Sequence, residues 1–177
     1  EPGLDGQTRL QNTLNLLDGI SAPAVSWESD IYPARIPNYD PNWLDVFCIS
    51  GKVMWGRYVL PLINHRRQNQ PLQRKRNAGP VKSTPISLVA RSNLDIWQAL
   101  AKAQLGEGEV AAPSAGAARI AADLEQHGAS FFDQIQSRTG LLKTQLEEGL
   151  AELVSLGRVC SDSFTGLRAL LTPNHKK

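Results

Sequence analysis

From Asn64 to Lys82 the chain reads NHRRQNQPLQRKRNAGPVK, with six Arg or Lys and no Asp or Glu. Taken out to Arg57 and Arg91, the zone holds eight bases and still no acid. The remainder of the chain then carries all seventeen acids and only eleven of the nineteen bases. The formal charge of +2 therefore conceals a bipolar molecule. Arg66, Arg67, Arg74, Lys75, Arg76 and Lys82, with Arg57 and Arg91 at the edges, are the types that neutralise phosphates and release counterions. Such contact is steeply salt-dependent and nearly blind to base sequence. Asn64, Gln68, Asn69, Gln70 and Gln73 add neutral hydrogen-bonding groups. A solvated charge run and an acidic protein partner remain open alternatives.

Four tryptophans come next. Trp43 and Trp97 sit in amphipathic helical patterns and are read as core. Trp27 lies in an irregular stretch before Glu28, Asp30 and Arg35, and Trp55 lies on a strand leading into the basic zone. Each is either packing or a platform for an unstacked base, a contact worth about 1 to 3 kcal/mol. Glu28, Asp30, Asp40 and Asp45 near such platforms could serve a base-excising enzyme, which needs a carboxylate beside an extruded base. Their plainer reading is as caps and surface charges. The sequence has no phosphate-binding G-x-x-x-x-G-K-[ST], no G-x-G-x-x-G and no H-E-x-x-H. His65, His127 and His175 lack metal-ligand spacing, and Cys48 and Cys160 form no disulfide framework. Together with the absence of a long apolar run or signal segment, this points to a reducing cytoplasm. A first residue of Glu1 and a polar end raise the expectation of a piece of something longer.

The elements that must position these residues follow from period and punctuation. Leu10, Leu14 and Leu17 mark a first helix stopped by Gly19, and Asp40 with Pro41 opens a second, NWLDVFCIS, closed by Gly51. VMWGRYVL (53–60) and STPISLVAR (83–91) read as paired strands, with a basic wing at about 61–82 between them. Asn93 is expected to cap LDIWQALAKAQL. The small-residue run 106–117 reads as a linker. Beyond it come ARIAADLEQH, then FFDQIQSRT capped by Ser130, then LLKTQLEEGLAELVSL, ended by Gly128, Gly140 and Gly157. Two short strands are expected in RVCSDSFTGLRALL. The expected fold class is thus α+β, two winged-helix units in tandem, 1–105 and 118–177. The third helix of the second unit should bury Leu142, Leu146, Leu150, Leu153 and Val154. Its outer face would show Lys143, Gln145, Glu147, Glu148, Glu152 and Ser155, too acidic to enter a major groove. Arg158, Arg168 and Lys143 remain as possible backbone contacts at its edges.

The stretches APAVSWESDIYPARIPNYDPNWLD, SGKVMWGR, GPVKSTPISLVAR and GASFFDQIQSRTGLLKTQLEEGLAELVSLGRVCSDSFTGLRALL resemble the Large helicase-related (Lhr) family of bacterial ATP-dependent helicases. The resemblance covers nearly the whole chain. It implies an accessory region that follows two RecA-like motor domains and a winged helix, with a shape related to a class of DNA glycosylases. The implied role is to bind the tracking single strand, DNA or a DNA–RNA hybrid, and to couple translocation to unwinding. ATP and Mg would belong to the motor domains of the same polypeptide, and this chain would hold no cofactor and no metal. The resemblance also implies a tryptophan stacked on a strand base, for which Trp27 is preferred over Trp55, and a role for Arg35 in orienting that loop or touching a phosphate. A glycosylase-like enzyme, or a scaffold whose acidic helix docks on the motor, are the other expectations.

Overall fold

The computed structural model describes residues 5–58, 81–105 and 112–172. Helix α1 (Gly6–Leu16) starts at Asp5, whose carboxylate accepts the Thr8 N–H, and it buries Leu10, Thr13 and Leu14. Gly19, at φ +73°, turns the chain into β1 (Ser21–Pro23). A single π-helical turn, Trp27–Ile31, follows, closed by the Tyr32 N–H donating to the Trp27 carbonyl at 3.0 Å. Helix α2 (Pro41–Ile49) is capped by Asp40 as its sequence predicts, the carboxylate accepting the Asn42 N–H.

Strands β2 (Val53–Gly56) and β3 (Pro85–Ala90) pair antiparallel, with Val53 opposite Ala90 and Gly56 opposite Ser87. The sheet has a third strand that the sequence did not announce: β1 lies on the other side of β3, with Ser21 opposite Ser87 and Pro23 opposite Pro85. Three residues ending in a proline give almost no strand signal; their pairing is decided by β3. A 3-10 turn at Val81–Ser83 enters β3 and another at Arg91–Asn93 leaves it. Asn93 does not cap α3 (Leu94–Leu105) as expected; its amide donates to Asp18 at 2.8 Å.

Helix α4 (Ala115–His127) begins within the expected linker because Ser114 caps it, the hydroxyl accepting the Ala117 N–H. Helix α5 (Phe132–Thr139) is capped at Phe131, not Ser130, and α6 (Lys143–Ser155) at Leu142. At both starts a glutamine three residues on reaches back, Gln134 Oε1 accepting the Phe131 N–H and Gln145 Oε1 accepting the Leu142 N–H, each at 3.0 Å. This places Leu142 outside, although the helical period had assigned it inward. Leu146, Leu153 and Val154 are buried as expected, but Ser155, expected outside, is buried too.

The expected C-terminal strands are instead one helix, α7 (Phe164–Leu171). Phe164 and Leu167 are one turn apart and fully buried, so this segment follows a period near 3.6, not 2. These side chains leave their sequence neighbours and join the first core, with Leu10, Trp27, Tyr32, Leu44, Trp55, Ile86 and Leu88. The Phe164 ring meets Trp55 edge-on at 6.3 Å. A second, smaller core joins α4, α5 and α6 through Ala117, Ile120, Ile135, Leu146 and Leu153. Gly149 lets α6 and α4 approach closely, since a Cβ there would stand 2.4 Å from Ile120 Cδ1. The C-terminal helix therefore ties both sides of the 106–117 stretch into one packed structure. Among the described residues no helix is long and apolar enough to cross a membrane.

Candidate nucleic-acid interface

The basic zone enters and leaves through the sheet. Arg57 and Tyr58 follow β2, and Lys82 precedes β3; Arg66, Arg67, Arg74, Lys75 and Arg76 lie outside the described residues. Lys82 is exposed on the turn into β3, and its carbonyl accepts the Val25 N–H at 3.3 Å. Arg91 is exposed at the far end of β3, its guanidinium 3.7 Å from Met54 Sδ and its N–H donating to the Lys52 carbonyl. Lys52, which sequence reasoning passed over, is exposed beside it, 5.6 Å over the Phe47 ring. Arg35 is exposed and ties back to the Ile31 carbonyl at 3.0 Å, which fixes one side of the guanidinium and leaves the other to solvent.

Arg57 departs from the expected row of phosphate contacts. Its Nη1 donates to the Ser155 carbonyl at the end of α6, and its Nε is buried without a hydrogen-bond partner. A cation at a helix C-terminus complements the macrodipole there, while burial lowers the guanidinium pKa from its usual value. Gly157, at φ +70°, admits the Arg57 backbone against this end: a Cβ would lie 3.1 Å from the Arg57 carbonyl oxygen. Arg57 fastens the base of the basic zone to α6.

Neither expected stacking platform offers a ring face. Trp27 is fully buried, 5.7 Å from the Tyr32 ring, with Nε1 donating to the Ile86 carbonyl at 3.2 Å. Trp55 is 1% exposed and donates from Nε1 to the Ser163 carbonyl at 3.0 Å. Both indole N–H groups are satisfied inside the protein, which is how buried tryptophans are held. The Trp27 and Trp55 assignments to base stacking are therefore corrected to core packing. Trp43 and Trp97 are half-buried: Trp43 meets Tyr39 edge-on at 6.3 Å, and Trp97 Nε1 donates to Asp18 at 3.2 Å.

The carboxylates proposed for excision chemistry are engaged. Arg168 donates from Nε to Glu28 Oε2 at 2.6 Å, from Nη2 to Glu28 Oε1 at 3.0 Å and from Nη1 to Asp45 Oδ2 at 2.7 Å. Tyr39 Oη donates to the same Glu28 Oε1 at 2.9 Å, and the Thr165 N–H donates to Asp45 Oδ1 at 3.0 Å. All four carboxylate oxygens of Glu28 and Asp45 thus accept hydrogen bonds. Burial works against charge on Arg168, but the bonds to Glu28 and Asp45 outweigh it and raise its pKa above the usual guanidinium value. Arg168 is consequently a clamp on α7, not an edge contact for a strand. Asp40 is a cap, and Asp30 accepts from Ser29 Oγ at 2.6 Å. Cys48 is buried, its thiol pKa pushed up to about 12 by desolvation, whereas Cys160 is exposed.

The outer face of α6 shows Lys143, Gln145 and Glu148 exposed, with Glu147 and Glu152 half-buried. Glu152 accepts the Ser114 N–H at 2.7 Å, so part of the acidic row serves the start of α4. Sequence reasoning also missed Phe131, at 78% the most exposed large apolar side chain among the described residues. Its signal was the FF pair at 131–132, of which Phe132 alone packs on the second core.

Residues 1–70 match the family model described as Large helicase-related protein, winged-helix domain. The chain is 28% identical, over 96% of its length, to a Mycolicibacterium smegmatis protein named Lhr helicase/probable uracil glycosylase. It is 30% identical, over 95% of its length, to the Escherichia coli Lhr helicase/uracil glycosylase. The chain spans about a tenth of the length of each of these relatives. Residues 1–70 thus carry the winged-helix sequence of the Large helicase-related family, and the similarity to Lhr helicases runs over nearly all of the chain.

Proposed function

We propose that the chain is a non-catalytic nucleic-acid-binding region of an Lhr-type helicase, holding a single strand by its phosphates while motor domains elsewhere in the polypeptide move it. The observation that carries this reading is the charge segregation: eight bases without an acid between Arg57 and Arg91, in a chain whose first 70 residues match a helicase winged-helix model. Lys82, Arg91 and Arg35 are the exposed described bases assigned to backbone contact, with Arg66, Arg67, Arg74, Lys75 and Arg76 assigned on charge. Arg57 acts through position, holding the zone against α6. ATP and Mg are assigned to the RecA-like motor domains. Coupling to those domains would pass through the surface around α7, whose clamp holds it to the π-helical turn and α2.

The relatives' names pair helicase with uracil glycosylase. In this chain Glu28 and Asp45, the carboxylates best placed for such chemistry, are consumed by Arg168, which favours binding over excision. Fluorescence anisotropy with labelled single-stranded DNA, duplex DNA and a DNA–RNA hybrid at low salt tests the reading. Saturable single-strand or hybrid binding that weakens steeply with salt is expected. Failure to bind any of the three would overturn it.

A further inference from the structure

Outside the basic zone, a cleft of about 400 Å³ opens between α4 and α5, lined by Arg119, Asp123, Gln126, His127, Arg138 and Thr139 among others. Asp123 forms its floor and accepts from Arg138 Nε and Nη2, both at 2.8 Å. Arg138 Nη2 also donates to Ser130 Oγ at 2.7 Å. His127 Nδ1 faces the Asp123 carbonyl at 2.9 Å and Asp123 Oδ1 at 3.3 Å. Two acceptors on one side require the proton on Nδ1, which turns Nε2 outward. Arg119 is exposed, its Nη2 3.7 Å from where a Cβ of Gly140 would stand, at the end of α5.

The charge count in the cleft is uneven. Asp123 is matched by Arg138, so Arg119 is a surplus cation, and His127 becomes a second when protonated. Among the described residues, no protein acceptor is found for the Arg119 guanidinium or for Arg138 Nη1. Both therefore have donors free for an incoming anion, and guanidinium forks fit phosphate oxygens well. The next residue after Ser130 is Phe131, 78% exposed, with its N–H already taken by Gln134. An acidic peptide would use the guanidinium groups and leave the ring idle. A single strand uses both, phosphate on the cations and a base on the aromatic face.

We propose that the α4–α5 cleft is a second contact for single-stranded nucleic acid, with Arg119 and Arg138 on the phosphates and Phe131 stacked on a neighbouring base. This rests on the strand-binding reading above but depends on different residues. The test compares wild type, R119Q, F131A and a variant with Arg66, Arg67, Arg74, Lys75 and Arg76 changed to Gln, each titrated into fluorescent oligo-dT across a salt series. Arg119 and Phe131 are exposed, so unchanged melting of their variants serves as the folding control. R119Q should lower the salt slope by about 0.7, the share of one contact on a single strand. F131A should weaken binding by about fivefold or more with little change in slope. If both bind like wild type while the five-base variant is weaker, the cleft is outside the interface and the strand-binding reading survives. If wild type itself binds no strand at low salt, both fail. If R119Q loses binding to poly-glutamate but not to oligo-dT, the cleft takes an acidic protein, and the inference is overturned.

Discussion

Arg168 and Glu28, 140 residues apart in the chain, meet through two parallel hydrogen bonds of 2.6 and 3.0 Å. Asp45 receives the third nitrogen, so one guanidinium on α7 bridges a carboxylate of the π-helical turn and another of α2, sharing its single positive charge between them. The three side chains are 27%, 16% and 13% exposed, dry enough for the loss of the cation to be costly.

Replacing Arg168 by Met would leave Glu28 and Asp45 half-buried without their shared partner. Breaking such a pair should cost roughly 2 to 4 kcal/mol, discounted for the solvent that still reaches the site. Urea unfolding of wild type and R168M measures this. A companion E28Q/R168M pair should recover part of the loss, because the variant removes one of the stranded charges.

Trp27 separates a core role from a binding role. Trp27→Ala should cost about 3 to 5 kcal/mol through the cavity it leaves. Trp27→Phe keeps most of the volume and loses the bond to the Ile86 carbonyl, so its cost should be about 1 to 3 kcal/mol. Folded Trp27→Phe should bind a single strand as wild type does. A selective loss of affinity with unchanged stability would return this ring to the interface.

Asp123 predicts an acid limit for the α4–α5 pair. Hydrogen bonds from Arg138, with the charges of Arg138 and His127, hold its carboxyl below the usual value. A depressed folded pKa means that the stabilisation is complete above the unfolded value of about 3.9 and is lost as pH falls through the lower folded one. Amide signals of α4 and α5 should therefore shift below about pH 4. The same titration of D123N should lack that step.

How much of this was legible depended on whether the deciding contact was local. Asp40 followed by Pro41, and the glycines 128, 140 and 157, act within one helical turn, and their helices end where the sequence says. The β2–β3 pairing was legible from β-branched and aromatic content. Phe164–Leu171 was misread because Ser-Phe-Thr-Gly has turn chemistry, while its helix is stabilised by burial against Trp55, more than a hundred residues away. Trp27 was misread for the same reason: Glu28 and Asp30 beside it suggest an exposed loop, but its partner is Ile86 on β3. The Arg168 clamp draws on three separate segments, and no local pattern in any of them signals it. The bipolar charge needed no structure at all.

The central claim, that the basic zone holds a strand by its phosphates, is tested most directly by the salt slope of single-strand binding. Wild type should be compared with the variant carrying Gln at positions 66, 67, 74, 75 and 76. The account predicts a slope lower by roughly 0.7 for each contact removed, with weaker binding at every salt concentration. An unchanged slope, with both proteins folded, would contradict it.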